Sequence, residues 1–147
     1  MFVWGACHIY QEVTSPETGY RPRGNMESME LSHRPIAIHN FSDKICDRLV
    51  HFHVMSLQDC FFLWVGFSAR LCNLAVAMSS RFDSMPLSSL IFGDKSDTTS
   101  GSIAQRLAKK TKKQVFASIN IPTNDSQLML LIEKRIKEEM ESFPEKF

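Results

Sequence analysis

Residues 49–66 read LVHFHVMSLQDCFFLWVG. The first half alternates at strand period, with Val50, Phe52 and Val54 on one face and His51, His53, Met55 and Leu57 on the other. The second half, residues 60–66, is apolar on both faces, which predicts a strand covered on both sides. Only about two residues, around Gln58 and Asp59, separate the runs. So short a link cannot cross over a sheet, so the two runs must form an antiparallel hairpin.

Three further segments carry the same period. IAIHNF (36–41) sets Ile36 and Ile38 on one face, and VFASINI (115–121) gathers Val115, Ala117, Ile119 and Ile121. NLAVAMSS (73–80) follows residues 60–66 by a short link, which predicts a three-strand meander. One face of that strand carries only Ala75, Ala77 and Ser79, leaving room for a helix to lie close. LIF (90–92), after a turn at Pro86, reads as a short edge strand. A first helix is predicted from Ser102 to Lys112, with Ser102 and Gln105 as a capping box. Ile103, Ala104, Leu107 and Ala108 form its narrow apolar stripe. A second runs from Asp125 to Ser142, with Asn124 and Gln127 as its capping box. Its stripe is Leu128, Leu131, Ile132, Ile136 and Met140, supported outside by Glu133 with Lys137 and Lys134 with Glu138. Pro144 ends it. The expected fold is α+β: a mainly antiparallel sheet of five to six strands with a central meander, packed with two or more helices in one domain.

Lys and Arg number 17 against 16 Asp and Glu, so no global charge excess points to nucleic acid. The longest apolar runs are too short for a membrane-spanning helix. Cys7, Cys46, Cys60 and Cys72 form no C-x-x-C pair and read as free thiols of a reducing compartment. The cytoplasm is the expected location, with the nucleus as a second one. Residues 14–25 are rich in Pro, Gly, Ser, Thr and Arg, and Met26 opens a segment that resembles a protein start. Residues 1–25 are therefore expected to be a disordered extension and 26–147 the single domain. Deleting 1–25 is expected to leave melting and partner binding unchanged.

Enzymatic chemistry finds no carrier. GDKSDTTSGSIAQRLAKKT (93–111) looks like a phosphate loop, but Gly93 and Gly101 are too far apart and Ser102 stands where a lysine would be needed. Asp94 and Asp97 would also repel phosphate. The stretch reads instead as a solvated loop entering a helix. His51 and His53 share a strand face, but no third ligand has diagnostic spacing, so neither a metal nor a cofactor is expected. No cysteine has a neighbouring histidine at motif spacing, and G-x-S-x-G is absent. Two candidate contact surfaces remain. One is apolar and centred on Met55, Phe62 and Trp64, in a sheet that two short helices struggle to cover. The other is charged: Asp94, Lys95 and Asp97 in the loop, then Arg106, Lys109, Lys110 and Lys113 around the first helix. Lys112 belongs to the same run, and a helix end rich in cations also complements the helix dipole.

The stretches HNFS, LVHFHVMSLQD, FFLWVG, NLAVAMSSRFDSMP, GDKSDTTSGSIAQRLAKKTKKQVFASINI and IEKRIKEEMESFPEKF, in that order, resemble the proteasome assembly chaperones. The likeness runs from about His39 to Phe147 and does not reach the first 35 residues. It implies a non-enzymatic chaperone that pairs with proteasome assembly chaperone 3 and helps build the alpha ring of the proteasome core particle, with core-particle alpha subunits as its clients. It carries over no catalytic residue. Read from the residues alone, a small scaffold subunit of a trafficking or signalling complex stands as the alternative.

Overall fold

The structure is a computed structural model and describes residues 35–122 and 124–147; the extension at 1–25 lies outside them. Six strands and two helices follow in the order β1 (Ala37–Ile45), β2 (Arg48–Ser56), β3 (Cys60–Gly66), β4 (Leu74–Met78), β5 (Leu87–Phe92), α1 (Thr99–Thr111), β6 (Gln114–Asn120) and α2 (Ser126–Ser142). The strands form one sheet in the order β1-β2-β3-β6-β4-β5. All neighbours are antiparallel except β3 and β6, which are parallel. The α+β class, the strand count and the β2–β3 hairpin are as the sequence predicts.

The meander is displaced. It consists of β1, β2 and β3, because β6 inserts between β3 and β4. The link from Phe67 to Asn73 steps over one strand, roughly 10 Å at ordinary strand spacing, and seven residues reach that far with ease. Adjacency of consecutive strands is a default, and here the sheet gains more by centring its most apolar strands. β3 and β6 are the two innermost, and Phe61, Leu63, Val65, Val115, Ala117 and Ile119 are all buried. β1 is also longer than predicted. It turns into β2 through Cys46 and Asp47, both at positive φ (50° and 60°), the two-residue turn that matches strand twist.

Both helices lie on one side of the sheet. Val50, Phe52 and Val54 of β2, Phe61, Leu63 and Val65 of β3, and Ala75 and Ala77 of β4 face them. The small side of β4 serves as expected: α1 settles on it, and the Ser79 hydroxyl donates to the Ala108 carbonyl oxygen at 3.2 Å. α1 starts three residues before the predicted Ser102, whose N–H donates to the Thr98 carbonyl oxygen at 2.9 Å. Ser102 is thus inside the first turn and not its cap. It ends at Lys112, in the left-handed region at φ 60°. α2 is capped by Asp125, whose carboxylate accepts from the Leu128 N–H at 3.0 Å, so the cap falls one residue after Asn124. Its buried stripe is Leu128, Ile132, Ile136, Glu139 and Met140; Leu131 is exposed, and the stripe closes on a carboxylate instead. Lys134 and Glu138 pair as predicted, while Glu133 turns to Arg106 of α1 and not to Lys137. The C-terminal Phe147 is buried edge-on against Phe61, with ring centres 5.7 Å apart.

Gly93 closes β5 at φ 120°, where L-residues are strained. A Cβ there would also lie 2.6 Å from the Asn73 Cβ. Gly93→Ala is therefore expected to cost about 2–3 kcal/mol, read as a shift of the urea midpoint at unchanged slope. A midpoint equal to wild type would refute the strain.

Candidate partner-binding face

The side of the sheet away from the helices carries no helix among the described residues; only the link from Phe67 to Asn73 folds over its polar end, where Trp64 bonds to Arg70 and Ser118 is buried. The apolar double-sidedness of residues 60–66 thus has a helical cover on one face only. Register makes the open side legible. Ile38 pairs with Met55, Met55 with Phe62, Phe62 with Phe116, and Phe116 with Val76. One apolar row therefore crosses five strands. At strand spacing it is roughly 19 Å long. Ile38 is well exposed, and Met55, Phe62, Phe116 and Val76 are half-buried, as flat neighbours on one sheet face leave one another.

Trp64 stands in the next row, opposite His53 and beside Ser118. Its indole N–H donates to the Arg70 carbonyl oxygen at 2.7 Å, which fixes the ring. The ring lies over Gly66, where any Cβ would come within 2.7 Å of it. Glycine at 66 is what lets an indole lie flat along the strand. The third row, Ser42, His51, Gly66 and Asn120, is polar. Ser42 Oγ and His51 Nδ1 are 2.8 Å apart, and His53 Nδ1 meets the Asn40 side-chain oxygen. The histidines are thus engaged by neighbouring side chains, and no group of three metal-ligating residues gathers among the described residues. The face grades from greasy to polar along the strands. That is the composition of an interface, where an apolar centre excludes water and a polar margin orients the partner.

Met55, Phe62 and Trp64 come together on this face. Phe116, Val76 and Ile38 complete it and were missed. Their signal was the period-2 alternation itself: once one face of each strand packs on helices, the other must align. Glu139 was missed altogether, lost in an acidic helix segment that reads as solvated.

The charged candidates are dispersed. Arg106 is held by Glu133 of α2, Lys110 Nζ lies 3.4 Å from Glu141, and Lys113 donates to a carbonyl oxygen of Phe147. Each cation bridges from α1 or its C-terminal end toward α2 or the C-terminus. Lys109 alone of the four has neither a carboxylate nor a carbonyl oxygen as partner among the described residues; its Nζ lies 3.6 Å from the Met85 sulfur. The loop is built from its own acids. Asp94 accepts from the Ser96 N–H at 2.9 Å, which holds its exposed carboxyl below the ordinary value. Asp97 accepts from the Thr99 N–H at 3.0 Å. Behind them Ser100 is buried, donating to the Asn73 side-chain oxygen at 2.7 Å and accepting from the Ile119 N–H at 3.0 Å. Lys95 is exposed. Asp94, Lys95 and Asp97 thus sit at one end of α1 and Lys109, Lys110 and Lys113 at the other.

A family model described as Proteasome assembly chaperone 4 matches residues 49–121, the span from β2 to the end of β6. Mouse proteasome assembly chaperone 4 is 57% identical over 121 residues, covering 82% of this chain and 98% of its own. The human protein of the same name is 61% identical over 112 residues, covering 76% of this chain and 91% of its own. A chain in the crystal structure of a novel chaperone complex for yeast 20S proteasome assembly has the same fold. It superposes with a TM-score of 0.55 at 14% identity, over 71% of this chain and 96% of that one. On this identity and coverage, the chain belongs to the proteasome assembly chaperone 4 family.

Proposed function

We propose that the chain is a non-enzymatic chaperone of proteasome core-particle assembly, that it acts as a heterodimer with proteasome assembly chaperone 3, and that the pair promotes formation of the alpha ring. The observation that carries this reading is the apolar row from Ile38 to Val76 on a sheet face without helices. A second sheet of similar kind is the natural cover for such a face, since two sheets pack about 10 Å apart with interdigitated side chains. Family membership supports the proteasome as the setting. The cytoplasm is the compartment in which we place it. Three described cysteines, Cys46, Cys60 and Cys72, are free thiols, which agrees with a reducing location.

The core-particle alpha subunits are the second partner. Charge is the contact we assign to them, through the loop from Asp94 to Ser100 and through Arg106, Lys109, Lys110 and Lys113. Exposed charges chiefly steer association and fade with salt. Reversing Lys109, Lys110 and Lys113 to Glu is expected to slow capture of an alpha subunit and to flatten its salt dependence. It should leave pairing with proteasome assembly chaperone 3 intact. Surface plasmon resonance across a salt series reads both, and a wild-type association rate at low salt would remove the charged contact from the reading. The test of the whole is co-purification at endogenous levels. Proteasome alpha subunits and proteasome assembly chaperone 3 should appear together with the chain. Their absence, with a vesicle or GTPase complex in their place, would overturn the reading.

A further inference from the structure

The sheet ends at β5, whose outer edge has no strand neighbour among the described residues. Open edges are ordinarily guarded by charged side chains or by proline within the strand. β5 reads LSSLIF, with no charge in it, and Pro86 stands before it. Such an edge presents a row of backbone donors and acceptors that an extended chain can match in register.

A groove of about 320 Å³ runs beside this edge, between β5 and α1. Ala75, Ser88 and Leu90 line it from the sheet, and Gly101 and Gln105 from the helix. The two elements run in opposite directions. Gln105 donates to the Pro86 carbonyl oxygen at 3.0 Å, and one turn earlier Gly101 faces Ser88, with 3.6 Å between the Ser88 hydroxyl and the place of a Cβ. The missing side chain at Gly101 keeps the groove open. Lysines stand at both ends: Lys95 lines the groove, and Lys109 lies beyond Gln105 against Met85. Neither has a carboxylate partner among the described residues. Asp97 also lines the groove, but its carboxylate accepts from the Thr99 N–H and the Asn73 amide.

We propose that β5 and this groove bind an extended acidic segment of a partner protein, which adds to the sheet as a seventh strand. Backbone pairing along residues 87–92 holds the segment. Every second side chain of an added strand points to the helix side, so an apolar one drops against Leu90 and Ala75. Acidic residues at the two ends meet Lys95 and Lys109. The surface is separate from the open face, so this inference stands whether or not the pairing proposed above is correct; it shares Lys95 and Lys109 with the charged contact assigned to the alpha subunits, and backbone protection of residues 87–92 tells the two apart.

The test uses the full 147-residue chain and a displayed library of random linear peptides as the probe. The strongest binder, synthesised, should alternate apolar residues with acidic ones. It should slow amide exchange of residues 87–92. Gly101→Met fills the groove from a helix position where methionine is the better helix former, so folding is retained. It should weaken the peptide about tenfold or more, as loss of a buried side-chain contact does. The double change Lys95→Glu/Lys109→Glu lies on the surface and should weaken it about tenfold at low salt and less at high salt, since screening removes the same attraction. Failure to enrich any peptide overturns the proposal. So does a binder indifferent to Gly101→Met, or one that protects another edge. A concentration-dependent dimer abolished by Gly101→Met would assign the edge to a second copy of this chain and overturn the peptide as occupant.

Discussion

Glu139→Ala is expected to lower the unfolding free energy by about 3 kcal/mol, the cost of opening a buried ion pair, and to lower the melting temperature by roughly 10 °C or more. Glu139 is 5% exposed, deep between α2 and β1. The His39 Nε2–H donates to one carboxylate oxygen at 2.7 Å, and Arg135 to the other at 2.7 Å. Arg135 continues to Asp43 at 3.0 Å and lies over the Phe41 ring, 4.9 Å from its centre. This chain of contacts clasps the edge strand to the helix. Alanine leaves the imidazole without its acceptor and the guanidinium with Asp43 alone. The figure sits at the low end for a broken buried pair because Arg135 keeps its partner Asp43. Asp43→Ala, at a half-exposed position, should cost under about 1 kcal/mol.

The same carboxylate sets acid sensitivity. Burial pushes its pKa up, but the hydrogen bonds and charges of His39 and Arg135 outweigh burial and hold it below the ordinary 4.5. A carboxyl lowered by folding binds its proton more readily in the unfolded chain. Its contribution is therefore complete above about pH 4.5 and drains away as pH falls through the folded value. Urea unfolding at a series of pH values should show wild type losing stability below pH 4.5 faster than Glu139→Ala. Parallel curves would show that the clasp does not titrate.

How far the sequence revealed this depends on the range of each interaction. The β2–β3 hairpin was readable because two residues at Gln58 and Asp59 permit only one geometry. The small face of β4 was readable because Ala75, Ala77 and Ser79 leave a volume only a helix fills. The place of β6 was not, because strand order is decided by which strands bury most, and that is a comparison across the whole chain. Cys46 and Asp47 form a tight turn without glycine, so no local signal marked it. Glu139 was illegible because its partners His39 and Arg135 lie on two elements, and His39 is 100 positions away in sequence. At the candidate interface, Met55, Phe62 and Trp64 stood out by side-chain type. Phe116 and Val76 did not, since each occupies the second face of a strand whose first face already explained it. The basic run looked like one patch because adjacency in sequence hid that Arg106, Lys110 and Lys113 each reach toward α2 or the chain's C-terminal end.

Phe62→Asp is expected to weaken the pairing we propose with proteasome assembly chaperone 3 by about 2–4 kcal/mol, roughly 30-fold to 1,000-fold. Phe62 sits at the middle of the apolar row, with Met55 on one side and Phe116 on the other. Central aromatic residues carry most of an interface's energy, because they are fully dried when the partner arrives. An aspartate there would have to lose its water among apolar neighbours of its own row, Met55 and Phe116 beside it, while His53 of the next row is already engaged by Asn40. The isolated chain should tolerate the change. The side chain is only half-buried, and the helix-side core of Phe61 and Leu63 is untouched. Leu130→Asp is the control, on the outer face of α2 at 68% exposure, and should leave pairing unchanged. Titration calorimetry of both variants against the partner chaperone, beside their melting curves, measures the two effects separately. A Phe62→Asp chain that melts like wild type and pairs like wild type would take the open face out of the heterodimer. One that loses pairing while keeping its melt, with Leu130→Asp normal in both, locates the partner on the row from Ile38 to Val76.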